Sequence, residues 1–353
     1  AMQADPEDIL AWFAGFRMRF FADQGLFSPI TDVWDEIGGN YNEAYKIAST
    51  GNDGEQYFIP ISNYPWVVNY RKSVFEENGW TPPTTLDELK ALGDDALAKG
   101  IVPFAFADQQ NWPAMGWFDI LNMRQNGYKY HVDLMAGNES WTDDRTKAVF
   151  EVWRDLMPYM QAGALSRDWP EAAQAVLNGD AAMMLIGTFY GDQIPVYAGE
   201  DATEEELAAL YDDYGFFAFP TLGTDFDAEL AVDAPIDGFV LGPDPDNPEG
   251  AKAILACLAS GPAQDIYHQT SPTWVPPAND ADQSAFNSIQ TQASEVISQA
   301  GGIGQYLDRD TRPDFSGPQA MGAFLKEFIG DPEQDLDAYL QGIQDFWDTL
   351  PPL

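Results

Sequence analysis

The chain of 353 residues contains one cysteine, two histidines and few bases, with 17 Lys and Arg against 57 Asp and Glu. A single cysteine excludes an intramolecular disulfide framework. Cys257 sits in the apolar run Ala253–Leu258 and reads as a small buried hydrophobe rather than a nucleophile, a cysteine usage compatible with export. His131 and His268 lie far apart and neither belongs to a His-x-x-x-His spacing, so no metal site is expected. A Gly-x-Ser-x-Gly elbow, a Walker loop and Gly-x-Gly-x-x-Gly are missing too, and no cofactor is expected. No run of apolar residues is long enough for a membrane span. The net charge of −40 repels phosphate backbones and anionic bilayers, which argues against nucleic acid or lipid partners. Most of that acid is expected on a solvated surface. With eight Lys, the composition suits saline habitats and GC-rich genomes alike.

What is present is apolar and aromatic. An apolar content of 45% supports real cores, and the length suits two domains. Tyr57–Ile61, Val67–Tyr70 and Val102–Ala107 are short runs rich in β-branched and aromatic residues, and read as strands. Between them, Thr85 and Glu88 have capping-box spacing, which predicts a helix from near Leu86 to Lys99-Gly100. Polar residues 108–113 suit a crossover between domains. A mostly helical stretch follows, with Thr142 as a cap and Val149, Trp153 and Leu156 at helical spacing. Trp169–Leu177 reads as an amphipathic helix before the strand Ala181–Ile186, 199–213 as an acidic helical insert, and Gly215–Pro220 and Gly238–Gly242 as strands. Asn247-Pro248 starts a helix with Ala251, Ile254, Leu255 and Leu258 on one face, and a tail helix starts at Asp331-Pro332. Strands alternating with helices give an α/β fold.

In order, Tyr57-Phe-Ile-Pro60, Trp66 to Tyr70-Arg71-Lys72, Phe75, Gly79, Pro82-Pro83-Thr84-Thr85 and Asn111-Trp112-Pro113 resemble the extracellular solute-binding proteins of carbohydrate-importing ABC transporters, the maltodextrin-binding-protein-like family. A second segment, Gly179 to Phe189, is similar to that family's Gly-x-x-Ala-Met-x-x-x-Gly-x-Trp, with Phe in place of Trp. The resemblance implies a two-lobed periplasmic-binding-protein fold with a hinge and an interlobe cleft. Its expected first lobe is 1–108 with 235–276, and its second 109–234 with 277–353. The family would also place a signal peptide and the first strand, helix and second strand, about sixty residues, before the segment Glu7-Asp8-Ile9-Leu10-Ala11-Trp12. The chain opens instead on Ala1-Met2-Gln3-Ala4-Asp5-Pro6 without signal-peptide character, so part of the first lobe's sheet is expected to lie outside it.

Sugars present flat C–H faces and rings of hydroxyls, so their sites combine stacking aromatics with planar polar side chains. Aromatic residues make up 14% of the chain, and those in loops at strand ends are the candidates. By the resemblance these are Trp12, Phe13 and Arg17, for which a packed helix start is the structural alternative, then Tyr64 and Trp66, and Gln110 with Trp112 at the crossover. Thr188, Phe189 and Tyr190 follow a strand. Asp237 and Gly238 sit in a Pro-Ile-Asp-Gly-Phe loop, where a plain turn serves as well. Trp274 lies on a proline-rich loop, and Arg309 and Arg312 lie in Asp308-Arg309-Asp310-Thr311-Arg312, which resembles a segment of actinobacterial-type sugar binders and is equally explained by internal ion pairs.

These residues imply a receptor that closes two lobes around a neutral mono- or oligosaccharide and delivers it to ABC permease subunits. It would be monomeric, extracytoplasmic, tethered by a lipid on a segment not in this chain, and would make or break no bond. The rivals are a receptor of the same fold for a polyamine or other small cation, which needs cleft carboxylates and has Asp237 as its candidate, and a carbohydrate-active enzyme with a carboxylate pair.

Overall fold

The computed structural model describes residues 7–351. Among the described residues, nine strands form three sheets. Strands β1 (Ile9–Phe13) and β2 (Phe58–Asn63) flank β8 (Ile236–Leu241) in an antiparallel three-stranded sheet. The second sheet has the order β4 (Val102–Phe104), β5 (Ala181–Gly187), β3 (Trp66–Arg71), β6 (Tyr214–Phe217), mixed parallel and antiparallel. A two-residue parallel pair joins β7 (Val232–Asp233) to β9 (Ile303–Gly304).

Two separate apolar cores follow from these sheets. The first gathers Met18, Trp34, Phe58, Ile61, Ile236, Val240 and Leu255, and the second runs from Trp66 through Phe118, Trp153 and Ile186 to Phe328 and Ile343. The lobe boundary therefore differs from the sequence expectation, which kept residues through 108 in the first lobe. The chain changes core at Tyr64-Pro65, because β3 pairs with β5 and β6 rather than with β2. Residues 108–113 are accordingly no crossover; they lead into the helix Pro113–Met135 of the second lobe.

A return crossing lies between Ala234, in the second core, and Ile236, in the first. Further along, Val275 packs in the second core. Asn63 ties these strands together: its N–H donates to the Val275 carbonyl at 2.9 Å, its carbonyl accepts from Val275 N–H at 2.8 Å, and its side-chain amide donates to the Ala234 carbonyl at 3.0 Å.

Local chemistry explains most helix starts. The Thr85–Glu88 capping box is complete on the helix Leu86–Lys99, and Gly100 ends it in the left-handed conformation at φ 78°. The acidic insert is the helix Glu204–Asp213, with its own capping box from Thr203 and Glu206. Other boundaries shift. Asp143, not Thr142, caps Asp144–Leu156, and Asp335 caps the tail helix Leu336–Asp348, a turn beyond Asp331-Pro332, because each carboxylate reaches the free amides of the first turn. Only Val102–Phe104 of the expected strand is paired. Trp12 and Phe13 end strand β1 rather than starting a helix. Cys257 is exposed and Ile254 is 53% exposed, since on the helix Pro248–Leu258 the buried stripe is Ala251 and Leu255.

Candidate functional site

A cavity of about 360 Å³ opens where the two lobes meet. The ends of strands and the starts of helices build its wall. The first crossing supplies Tyr64 and Trp66, and the second supplies Pro235. Trp112 and Trp169 open the helices Pro113–Met135 and Trp169–Asn178, each followed by a proline whose missing N–H costs nothing in a first turn. The turn after β5 supplies Phe189 and Asp192, and the junction loop supplies Trp274. From the segment after β9 come Tyr306, Asp308 and Arg309, with Phe13 at the end of β1.

The rings form one continuous surface with Phe189 at its centre. Phe189 meets Tyr64 at 5.2 Å, Trp169 at 5.3 Å, Trp112 at 6.0 Å, Trp66 at 6.3 Å and Trp274 at 6.4 Å between ring centroids. Trp66 also lies against Tyr306 at 4.9 Å. Gly116 makes this possible, because a Cβ there would come within 2.3 Å of the Trp66 ring. Phe13, Trp112, Trp169, Phe189 and Trp274 are only half-buried, which leaves ring faces turned to the cavity.

Beside these rings, ion pairs bridge the lobes. Arg309 Nη1 binds Asp237 Oδ1 at 2.6 Å, Arg309 Nη2 donates to the Tyr64 hydroxyl at 3.1 Å, and that hydroxyl donates to Asp237 Oδ2 at 3.1 Å. Burial alone would depress Arg309, but Asp237, Tyr64 and Asp308 more than offset it and keep the guanidinium charged. Burial is also the main reason the Tyr64 phenol is pushed up and stays neutral. Arg17 reaches from the first lobe to Asp308 Oδ2 at 2.9 Å. Phe13 lies under both cations, 3.9 Å from the Arg309 guanidinium carbon and 5.4 Å from that of Arg17.

Asp192 is the lining carboxylate with no cationic partner among the described residues. Its Oδ2 accepts from Trp274 Nε1 at 3.1 Å and its Oδ1 from the Thr273 hydroxyl at 3.4 Å. Burial raises its pKa to about 6 in spite of those donors. Two residues flanking Trp112 have unusual backbones: Asn111 at φ 67° and Tyr306 at φ 95°. The Tyr306 hydroxyl donates to the Trp112 carbonyl and accepts from Gly116 N–H at 3.1 Å. Strain held this way marks positions that the surrounding structure fixes.

Of the residues singled out in the sequence, Phe13, Tyr64, Trp66, Trp112, Phe189, Trp274 and Arg309 line this cavity. Trp12, Asp237 and Gly238, with Phe13 and Trp274, line an adjoining one of about 180 Å³. Asp237-Gly238 is not a loop: both residues lie inside β8, and Gly238 is required because a Cβ there would meet the Ile59 carbonyl at 1.9 Å. Arg17 acts behind the wall through Asp308, and Gln110 is exposed, its Oε1 accepting from Trp169 N–H at 3.2 Å.

Thr188 and Tyr190 are fully buried; the first donates its N–H to the Pro65 carbonyl and the second packs on Tyr214. Arg312 pairs with Asp314 at 2.6 Å in a separate surface cavity. Thr188, Tyr190 and Arg312 are thus placed away from the cleft. Sequence reasoning missed Trp169, Asp192, Pro235, Tyr306 and Asp308. Trp169-Pro170 repeats the Trp112-Pro113 dipeptide, a signal that points to Trp169; nothing comparable marks Asp192.

Comparison with known proteins agrees with this architecture. The family model described as bacterial extracellular solute-binding protein matches residues 1–265. The solved structure of the bacterial solute receptor AcbH, described as having an exclusive preference for β-D-galactopyranose, superposes with a TM-score of 0.91 at 38% identity, covering 98% of this chain and 86% of that one. A chitin oligosaccharide binding protein superposes with a TM-score of 0.82 at 21% identity over 97% and 83% of the two chains, a likeness of fold. An uncharacterised ABC transporter extracellular-binding protein of Pyrococcus horikoshii is 26% identical over 297 residues, 83% of this chain and 63% of that protein. The chain spans less than two thirds of the length of the curated relatives it matches.

Proposed function

Because this chain belongs to the bacterial extracellular solute-binding protein family, we propose that it is the sugar-capturing component of an ABC importer, working outside the cytoplasm. The single observation that carries this reading is the Phe189-centred ring surface facing an interlobe cavity. Ring faces stack on sugar C–H faces, and the sparse polar groups beside them fix hydroxyl positions. No helix among the described residues is long and apolar enough to cross a membrane. Delivery to separate permease subunits follows from the role proposed for the family fold. The receptor acts as a monomer held at the membrane by a lipid.

The cargo is a neutral sugar, and a single hexopyranose is the first candidate. A cavity of about 360 Å³ is at the small end of ligand sites, and the relative at 38% identity is described as a galactopyranose receptor. A polyamine would call for unpaired carboxylates at both ends. Here Asp237 and Asp308 are already neutralised by Arg309 and Arg17, which leaves Asp192 alone.

Thermal unfolding against monosaccharides, oligosaccharides, spermidine and putrescine, with product analysis of each mixture, tests the proposal. A ligand at a hundred times its Kd adds about 2.7 kcal/mol to a folded state that alone binds it. The expected result is a rise with a hexose, none with polyamines and unchanged sugar. Turnover of a glycoside, or a rise with polyamines alone, contradicts it.

A further inference from the structure

Behind the cavity wall the second lobe buries a group of acids that sugar capture does not itself use. Asp119, on the helix Pro113–Met135, and Asp233, on β7, are both fully buried. Asp310 lies beside them: a methyl group on Gly304 would come 2.3 Å from Asp233 Oδ1 and 3.6 Å from Asp310 Oδ2. Two backbone amides of the cavity-lining segment are held by this group. Asp119 Oδ2 accepts from Leu307 N–H and Asp310 Oδ2 from Gln305 N–H, each at 2.7 Å. Between these two amides sits Tyr306, and immediately after them Asp308 and Arg309.

The remaining oxygens have no ordinary donors. Asp119 Oδ1 and both oxygens of Asp233 lack a hydrogen-bond partner, as does His131 Nε2, which lies 3.9 Å from Asp119 Oδ1. Asp119 and Asp233 lie close enough in this buried group for each to act on the other, and two carboxyl groups without other donors can satisfy one another only if a proton lies between them. Among the described residues no set of three or more His, Cys, Asp or Glu is spaced to hold a metal ion.

We infer that Asp119 and Asp233 share one proton and act as positioning residues for the ligand cavity, fixing Leu307 N–H and through it the Tyr306–Arg309 rim. The inference rests on the sugar-receptor reading for its ligand, though not for the proton. Burial, then the charges of Asp233 and Asp310, pushes Asp119 well above the usual carboxylate range, and burial does the same to Asp233.

Every other group facing the pair fits this arrangement. His131 is depressed to about 4 by burial and brings no charge at neutral pH. Tyr128 and Tyr306 are raised by burial and stay neutral. Asp310 is raised to about 7 by burial, against Arg309 and the more distant Arg19. Arg309 faces Asp233 from the segment above, but its own guanidinium is engaged by Asp237. Asp308, the remaining acid of that segment, is paired with Arg17.

D119N separates the shared proton from mere packing. Its amide keeps an acceptor for Leu307 N–H and a donor for Asp233 without titrating. A carboxyl raised in the folded state contributes stability that is present at low pH and is lost as pH climbs toward its folded value. Wild type should therefore lose melting temperature and D-galactose affinity more steeply than D119N as pH rises above the ordinary carboxyl value of about 4, while the two bind D-galactose within about threefold of each other at the acid end. D119A, which deletes both bonds, should weaken D-galactose by at least about tenfold in a folded protein.

Melting profiles of wild type and D119N that superimpose across the pH range would overturn the shared proton. Equal pH profiles of affinity, or a folded D119A with wild-type affinity, would overturn the positioning role. Failure of wild type to bind D-galactose would instead count against D-galactose as the cargo, because the melting scans test the proton without ligand.

Discussion

At the scale of single residues the cavity divides labour between rings that supply contact area and rings that hold other rings in place. Trp112 is half-buried with a face toward the cavity, so W112A should cost little folding stability. Loss of one stacking ring removes about 1–3 kcal/mol of contact. The expected outcome is a sugar Kd weakened about tenfold or more by calorimetry, with a melting temperature within a few degrees of wild type. Phe189 differs because it touches five other rings. F189A should lower both affinity and melting temperature, and a variant that loses affinity alone would contradict its role as the hub. The Trp-to-Phe departure noted in the sequence is thus accommodated by neighbours that already supply the indoles.

Protonation belongs to this scale too. Asp192 is raised to about 6, Asp108 and Asp310 to about 7, in each case chiefly by burial. Raised carboxyls bind more protons in the folded than in the unfolded chain, so their contribution to stability is largest below about pH 4 and fades toward pH 7. D192N should flatten the acid half of that decline in a melting series from pH 4 to pH 7; an unaltered profile would show that Asp192 is not shifted.

At the scale of elements, how much could be read from the sequence depended on how local the cause was. Thr85 and Glu88 lie one helical turn apart and define their own helix start, so the capping box was legible. The lobe boundary was not, because the partner of β3 is chosen by β5 and β6, more than a hundred residues away. For the same reason seven of the fifteen candidate residues line the main cavity, while Asp192 and Tyr306 escaped notice. Asp192 becomes a cavity group only when Thr273 and Trp274 fold against it. Tyr306 does so only because the Trp112 carbonyl and Gly116 N–H fix its hydroxyl.

The junction strands make a prediction of their own. Asn63 joins the stretches at Ala234 and Val275, and N63A deletes the side-chain bond to a buried carbonyl. It should destabilise by about 1–3 kcal/mol and widen the distribution of lobe angles, seen as a larger radius of gyration in ligand-free solution scattering. Unchanged scattering would mean that backbone pairing with Val275 suffices.

For the whole molecule the dominant quantity is a net charge of −40. Ion pairs such as Lys147–Asp337 and Lys252–Asp32 engage several of the few bases at the surface, and the remaining acids repel one another. Salt shortens the screening length from about 10 Å at 0.1 M to about 3 Å at 1 M, so melting temperature should rise with added NaCl. A fall would show that the ion pairs outweigh the repulsion. The same charge repels anions at a distance.

The cleft between the two cores is proposed to hold a neutral sugar without transforming it. Isothermal titration of the protein with D-galactose, followed by chromatography of the recovered sugar, tests it most directly. The expected result is saturable binding at one site per chain that W112A weakens about tenfold or more, with galactose recovered intact. Absence of binding by D-galactose and every other neutral sugar, or binding that W112A leaves untouched, would contradict it.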